Sequence, residues 1–261
     1  MSPVFRSILR ALTPRFVHRI RVDRARRAEA ERLALAVRLH GAVGGRVLTG
    51  PFAGMRYGTD STCGTLGPKL LGTYERELAP VVERIVAAGR GRIIDVGAAE
   101  GWYAVGLLTR LPAARGVAFE STAGGRALLR DMALANGVAD RLDIRGHCGV
   151  AELAATVEAF RPDLVVCDAE GAEREILDPI AIPRLAGIDM LVEIHDFIDP
   201  ATGAALERRF RHTHTIERIA TRPRRAADVP AVGGFSPSER LTLADELRPC
   251  RMEWFWLQAR G

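Results

Sequence analysis

Between residues 92 and 194, short apolar runs alternate with stretches of helical periodicity, and this alternation limits the fold more than any other feature of the chain. Runs at 92–96, 115–119, 141–145, 163–167 and 189–194 read as strands, and 101–110, 122–136, 150–160 and 171–178 read as helices. Strand, helix and strand in succession imply parallel strands joined by right-handed crossovers, hence an α/β sandwich. The pattern changes at the end: 214–221 and 251–258 are strand-like, and the stretch between them, 222–239, is irregular and rich in Pro, Gly and Arg. Upstream, 1–20 reads as a short basic helix and 23–40 as a second helix, stopped by Gly41, Gly44 and Gly45. A small hairpin is expected over 46–60, and a helix over 70–88 that Pro80 kinks or splits. The expected organisation is therefore a basic helical extension, 1–46, and a single α/β domain, 47–261.

Charge divides the chain the same way. Residues 1–50 hold 11 Arg against 3 acids, a local +8, so the remainder sums to −3 within a total of +5. Val4, Phe5, Ile8, Leu9 and Leu12 fall on one face of the first helix, with Arg6 and Arg10 elsewhere on it. Such a helix packs on its own domain with a solvated Arg face, or lies on an anionic membrane through residues 1–20. No run of eighteen apolar residues is present, so no membrane-spanning helix is expected. Arg6, Arg10 and Arg15 interrupt what would be the core of a signal peptide. Cys63, Cys148, Cys167 and Cys250 are scattered and form no Cys-x-x-Cys pair, which argues against a zinc site or disulfide framework and fits a reducing cytoplasm.

Ile-Ile-Asp-Val-Gly-Ala-Ala-Glu-Gly, 93–101, reads as a strand, a tight turn and a helix start. Gly97 and Gly101 remove side chains where a ligand has to approach backbone, and a helix start offers unpaired N–H groups. The spacing lacks the second glycine of Gly-x-Gly-x-x-Gly, which lets a pyrophosphate sit against the turn, so the expected ligand is a nucleoside without a diphosphate. This stretch is similar to the first motif of class I S-adenosylmethionine-dependent methyltransferases. A nicotinamide-dependent oxidoreductase is disfavoured by the missing glycine.

Open α/β sheets bind ligands beyond the carboxyl ends of their strands, and here polar residues stand at successive strand ends. They are Asp95, then Glu120, then His147 with Cys148, then Asp168, then Glu193 with His195. One such acid caps a following helix as readily as it binds a ligand, but five in register are harder to explain as caps. Glu120 is assigned to the ribose hydroxyls, with Ser121 beside it and capping as the alternative; His147 and Cys148 are assigned to the adenine. Asp168, Glu170 and Glu173 crowd three carboxylates around Gly171; like charges repel, so the cluster is expected to raise one pKa, to bind a cation, or to face the sulfonium or ammonium of a cofactor.

The block Asp-Ala-Glu-Gly-Ala-Glu, 168–173, followed by Ile176-Leu177, resembles the Asp-x-Glu-Gly-x-Glu block of FkbM-type methyltransferases. Leu71-Gly72-Thr73-Tyr74-Glu75, 94–103 and 191–195 resemble three further segments of that family, in order. Two departures stand out: Ala99-Glu100 replaces the family's Asn-x, and 146–149 lacks an acidic adenine contact. The resemblance implies a Rossmann-like, mostly parallel seven-stranded sheet with an antiparallel C-terminal strand. It implies S-adenosylmethionine as cofactor, held by Asp95, Gly97, Ala98, Gly101, Glu120, Ser121, His147 and Cys148, with Tyr74 and Glu75 closing over its methionine end.

Methyl transfer from a sulfonium needs mostly alignment and desolvation, and an alcohol acceptor also needs a base. Asp168 and His195 are the candidate bases, although His195 could equally be a satisfied histidine beside Asp196. Glu170 and Glu193 would position the acceptor or the cofactor's amino group. Asp168, Glu170, Glu193 and His195 could supply ligands to Mg²⁺ or Mn²⁺, but nothing in their spacing demands it and no metal is expected. The segment 222–239 reads as an exposed loop, or else as a mobile lid whose Arg222, Arg224 and Arg225 hold an anionic acceptor. The expected reaction is O-methylation of a small-molecule, sugar, glycan or secondary-metabolite hydroxyl. An RNA methyltransferase using the basic arm, and a non-catalytic binding module on the same fold, are the alternatives. The arm has few aromatics and no RNA-binding module is legible, so nucleic acid is not the expected partner.

Overall fold

The computed structural model describes residues 26–62 and 64–260. The basic helix expected over 1–20, and the membrane contact attached to it, lie outside the described residues. Residues 26–42 are helical (α1), and Ala36 and Leu39 on this helix are buried in the domain core. The hairpin expected over 46–60 is reduced to a single antiparallel bridge, Arg46 to Arg56, because Pro51 and turns at Gly50 and Gly54 interrupt any ladder.

The helix expected over 70–88 is two helices, α2 (Leu66–Leu71) and α3 (Ala79–Ala87), separated by a 3₁₀ turn, Arg76–Leu78. The break comes at Gly72, which ends α2 with φ 76°; a Cβ there would lie 1.9 Å from the carbonyl oxygen of Thr49. Close backbone approach, not Pro80, therefore sets the division, and Pro80 stands in the first turn of α3, where it is tolerated.

From there the expected alternation holds: β1 (Arg92–Val96), α4 (Trp102–Arg110), β2 (Arg115–Phe119), α5 (Ala123–Ala135), β3 (Leu142–Arg145), α6 (Val150–Phe160), β4 (Leu164–Cys167), α7 (Glu173–Ile176) and β5 (Asp189–Ile194). Then come α8 (Thr202–Phe210), β6 (His214–Ala220), α9 (Pro237–Leu243) and β7 (Glu253–Ala259). The sheet order is β3-β2-β1-β4-β5-β7-β6, parallel from β3 through β5, with β7 antiparallel to both neighbours. This is the Rossmann-like mixed sheet with an antiparallel C-terminal strand. The order reverses between β1 and β4, which opens a crevice at their carboxyl ends.

Successive strand residues point to opposite faces, and the core divides accordingly. Ile93, Leu164, Val166 and Leu191 join the layer of α3, α4 and α5; Ile94, Val165, Cys167 and Val192 join the layer of α6, α7 and α8. Both faces are covered over the inner parallel strands, which is why β1, β2, β4 and β5 are mostly apolar runs. No helix among the described residues is long and apolar enough to cross a membrane.

Candidate active site

A cavity of about 400 Å³ opens at the carboxyl ends of β1, β2 and β4. Of the residues assigned to the cofactor, Gly97, Glu120, Ser121, His147 and Cys148 line it, and Asp168 and Glu170 form its other end. Gly97 has φ 82°, and a Cβ there would lie 1.7 Å from the carbonyl oxygen of Asp168. The turn after β1 is thus pressed against the end of β4, which joins the two halves of the cavity wall.

The remaining assignments fall elsewhere. Asp95 is buried beneath the turn, on the α4 side, against the backbone of Ala104; burial pushes its carboxyl up to about 7. Ala98 is buried, and Gly101 is the N-cap of α4, packed against Leu129; neither lines the cavity. Gly101 therefore serves packing between α4 and α5 where close ligand approach was expected. Tyr74 and Glu75 do not line the cavity either. The Glu75 carboxylate is held by Tyr103 Oη and by the guanidinium of Arg248, and the Tyr74 ring packs edge-on against Trp102, 5.5 Å between centroids.

Glu120 holds the residue that caps α5 and also faces the cavity. Its Oε1 accepts from the backbone N–H (2.7 Å) and hydroxyl (2.6 Å) of Thr122, the N-cap of α5, while Oε2 accepts from the N–H of Ala99 (3.1 Å). The carboxylate thereby bridges the two turns that flank the cavity and still lines it.

At the far end, Glu173 is fully buried, and its Oε1 accepts from the N–H groups of Ala169 (2.9 Å) and Gly171 (3.1 Å) and from Nδ1 of His195 (2.8 Å). One carboxylate oxygen thus shapes the 169–171 turn and orients the imidazole. His195 is buried behind the cavity lining, and its Nδ1 is satisfied by Glu173, while Asp196 turns to the N–H of Gly203. Burial works against the charge of His195, but the carboxylates of Glu173, Glu193 and Glu170 outweigh it and raise its pKa; Glu173 is held low in return despite its own burial. Burial, together with Glu75 and Glu170, pushes Asp168 up to about 8. Burial and the carboxylates of Asp168 and Glu75 push Glu193 up to about 10, even though Arg248 pairs with its Oε1 at 2.6 Å.

Two parts of the site are absent from the sequence reading. Glu100, in the turn after β1, is buried in an ion pair with Lys69, the only lysine of the chain. Its carboxylate also accepts from Tyr57 Oη (2.7 Å), Ser61 Oγ (2.6 Å) and the Thr62 N–H (3.1 Å) and hydroxyl (2.7 Å). Thr62 lines the cavity, so Glu100 fixes one of its walls. The signal in the sequence was an acid next to the motif's second glycine, Gly101, in a chain with a single lysine. The second part is Arg248, which ties Glu75, Glu193 and Glu246 together from the segment before β7. Of the arginines offered for an anionic acceptor, Arg224 is committed to Glu77 and Glu246, which ties the start of the 222–239 segment to the domain.

No family model matches the chain, and no curated protein is similar to it. Among solved structures it is similar to precorrin-6y C5,15-methyltransferase from Geobacter metallireducens, at 14% identity and a TM-score of 0.46 over 70% of this chain and 89% of that one. It is also similar to the O-methyltransferase TomG from Streptomyces achromogenes, solved with SAM, at 15% identity and a TM-score of 0.44 over 69% of this chain and 81% of that one. An O-methyltransferase from Bacillus cereus, solved in complex with SAH, gives 13% identity and a TM-score of 0.44 over 68% and 79%.

Proposed function

We propose that this chain is an S-adenosylmethionine-dependent methyltransferase of FkbM type that methylates a hydroxyl of a sugar, glycan or other small molecule. The observation that carries this reading is the chemistry of the cavity wall. Among the described residues it contains Glu120, Asp168 and Glu170 but no Lys or Arg side chain. A diphosphate would find no counter-charge there, whereas a nucleoside carrying a cationic sulfonium and ammonium suits three carboxylates. Oε1 of Glu120 is filled by the two bonds from Thr122, whereas Oε2 accepts only from Ala99 and keeps acceptor capacity for a ribose hydroxyl.

When bound, the cofactor supplies an activated methyl group on sulfur. The protein's residues bind, align and exclude water. Glu120 and Ser121 hold the ribose side, and His147 and Cys148 flank the base. The 169–171 turn, fixed by Glu173, presents Asp168 and Glu170 to the acceptor. The acceptor's hydroxyl proton has two takers at this end, Nε2 of His195 and the exposed carboxylate of Glu170.

Calorimetric titration tests this. S-adenosylmethionine and S-adenosylhomocysteine should bind and NAD should not, and Glu120→Gln should weaken binding about tenfold or more, the range of a charge-assisted hydrogen bond. NAD binding, or binding of neither nucleoside, would remove the reading.

A further inference from the structure

Two buried polar atoms face each other at the far end of this site without a hydrogen bond between them. Oδ1 of Asp168 is buried and has no hydrogen-bond partner. Nε2 of His195, on a ring only 2% exposed, stands 3.6 Å from it. The same nitrogen lies 3.5 Å from Oε2 of Glu170 and 3.9 Å from Oε2 of Glu193. These separations are long for hydrogen bonds. They lie between the spacing of adjacent ligands, roughly 3 Å, and of opposite ligands, roughly 4.2 Å, around an ion bound at about 2.1 Å.

The surrounding groups prepare this arrangement. Glu173 Oε1 accepts from Nδ1 of His195 at 2.8 Å, which makes Nδ1 the protonated nitrogen and turns the Nε2 lone pair toward the carboxylates. The three carboxylate oxygens stand 3.5–3.9 Å from this nitrogen, which leaves room for a positive ion among them. Arg248 takes Oε1 of Glu193 at 2.6 Å and leaves Oε2 turned toward His195. That guanidinium is already shared with Glu75 and Glu246, so it does not balance the cluster.

We propose that Asp168, Glu193 and His195, whose ligand atoms all lie within 4.8 Å of one another, bind a divalent cation, with Glu170 as the exposed fourth ligand. Three oxygens and one imidazole nitrogen suit a cation that accepts mixed ligands, such as Mn²⁺. The binding stands on these residues alone; its use rests on the methyltransferase reading above. There, the cation would orient the acceptor hydroxyl and make it more acidic. His195 is then a ligand and not the base, and Glu173 is a positioning residue.

The test is a calorimetric titration of EDTA-stripped, full-length protein with Mn²⁺, Mg²⁺ and Zn²⁺ chlorides, without cofactor or acceptor. One Mn²⁺ per chain should bind. Asp168→Asn and His195→Gln should each weaken it at least tenfold, Glu173→Gln should do the same without removing a ligand, and Glu170→Gln, on the exposed rim, should weaken it severalfold. No uptake of any of the three ions by the wild type, or uptake unchanged by Glu170→Gln and Asp168→Asn, overturns the proposal. Titrating S-adenosylmethionine in EDTA separates the two readings: an ion bound by protein that ignores the cofactor keeps the cation site and removes the methyltransferase.

Discussion

The molecule buries two clusters of charge on either side of the turn after β1, and they are resolved in opposite ways. Around Glu100, one carboxylate meets one ammonium, and both of its oxygens are filled by Tyr57, Ser61 and Thr62. Around His195, three carboxylates converge on one imidazole nitrogen, and a buried oxygen of Asp168 has no partner. A fully paired buried charge holds structure in place. A buried charge left unsatisfied costs stability and persists where a ligand completes it.

That contrast can be broken by removing one member from each cluster. Lys69→Met should cost about 3–5 kcal/mol in urea unfolding, because Glu100 is left buried without its counter-charge. A loss below about 1 kcal/mol would show that the first cluster is not structural. The second effect is pH-dependent. Burial would push the Glu100 carboxyl up, but Lys69, Ser61 and Tyr57 prevail and hold it at about 2, against an ordinary 4.5. A depressed carboxyl stabilises the fold above its unfolded value, and that contribution disappears as pH falls from about 4.5 toward 2. It amounts to roughly 3 kcal/mol, and urea midpoints of wild type and Glu100→Gln should converge over that window. Parallel curves would assign the acid transition to other carboxylates. The smallest effect belongs to the other cluster. Asp168→Asn in EDTA should leave stability within about 0.5 kcal/mol of wild type or raise it, because it relieves crowding by Glu193 and Glu170. A large loss would make Asp168 a structural residue and erase the contrast.

Much of this was legible in the sequence because β1, β2, β4 and β5 are buried on both faces and so advertise themselves as apolar runs. The polar residues at their ends were legible for the same reason: each interrupts such a run. What depends on distant contacts was not. The break at Gly72 comes from Thr49, Glu100 finds Lys69 across 31 residues, and Arg248 reaches Glu75 across 173. Helix α9 lies partly inside the stretch read as irregular, although Ser236 and Glu239 form a capping box that the sequence displays. Helix α8 went unread because its buried face is only partly apolar: Ala205, Leu206 and Phe210 are buried beside Thr202 and Gly203, which add nothing to a hydrophobic pattern. Where the Asp95 side chain turns, and what Gly101 packs against, depend on how α4 sits against its neighbours.

Strand β7 follows β6 in the chain yet lies between β5 and β6 in the sheet. During synthesis, then, β5 presents an open edge until residues 253–259 emerge, and β6 has no partner in the sheet before that moment. Arg248 leaves the ribosome only just ahead of β7. The chain therefore completes its sheet and balances the charges of its candidate active site in the same late interval, and a nascent chain stalled before residue 248 would carry Glu75 and Glu193 without the cation that pairs them.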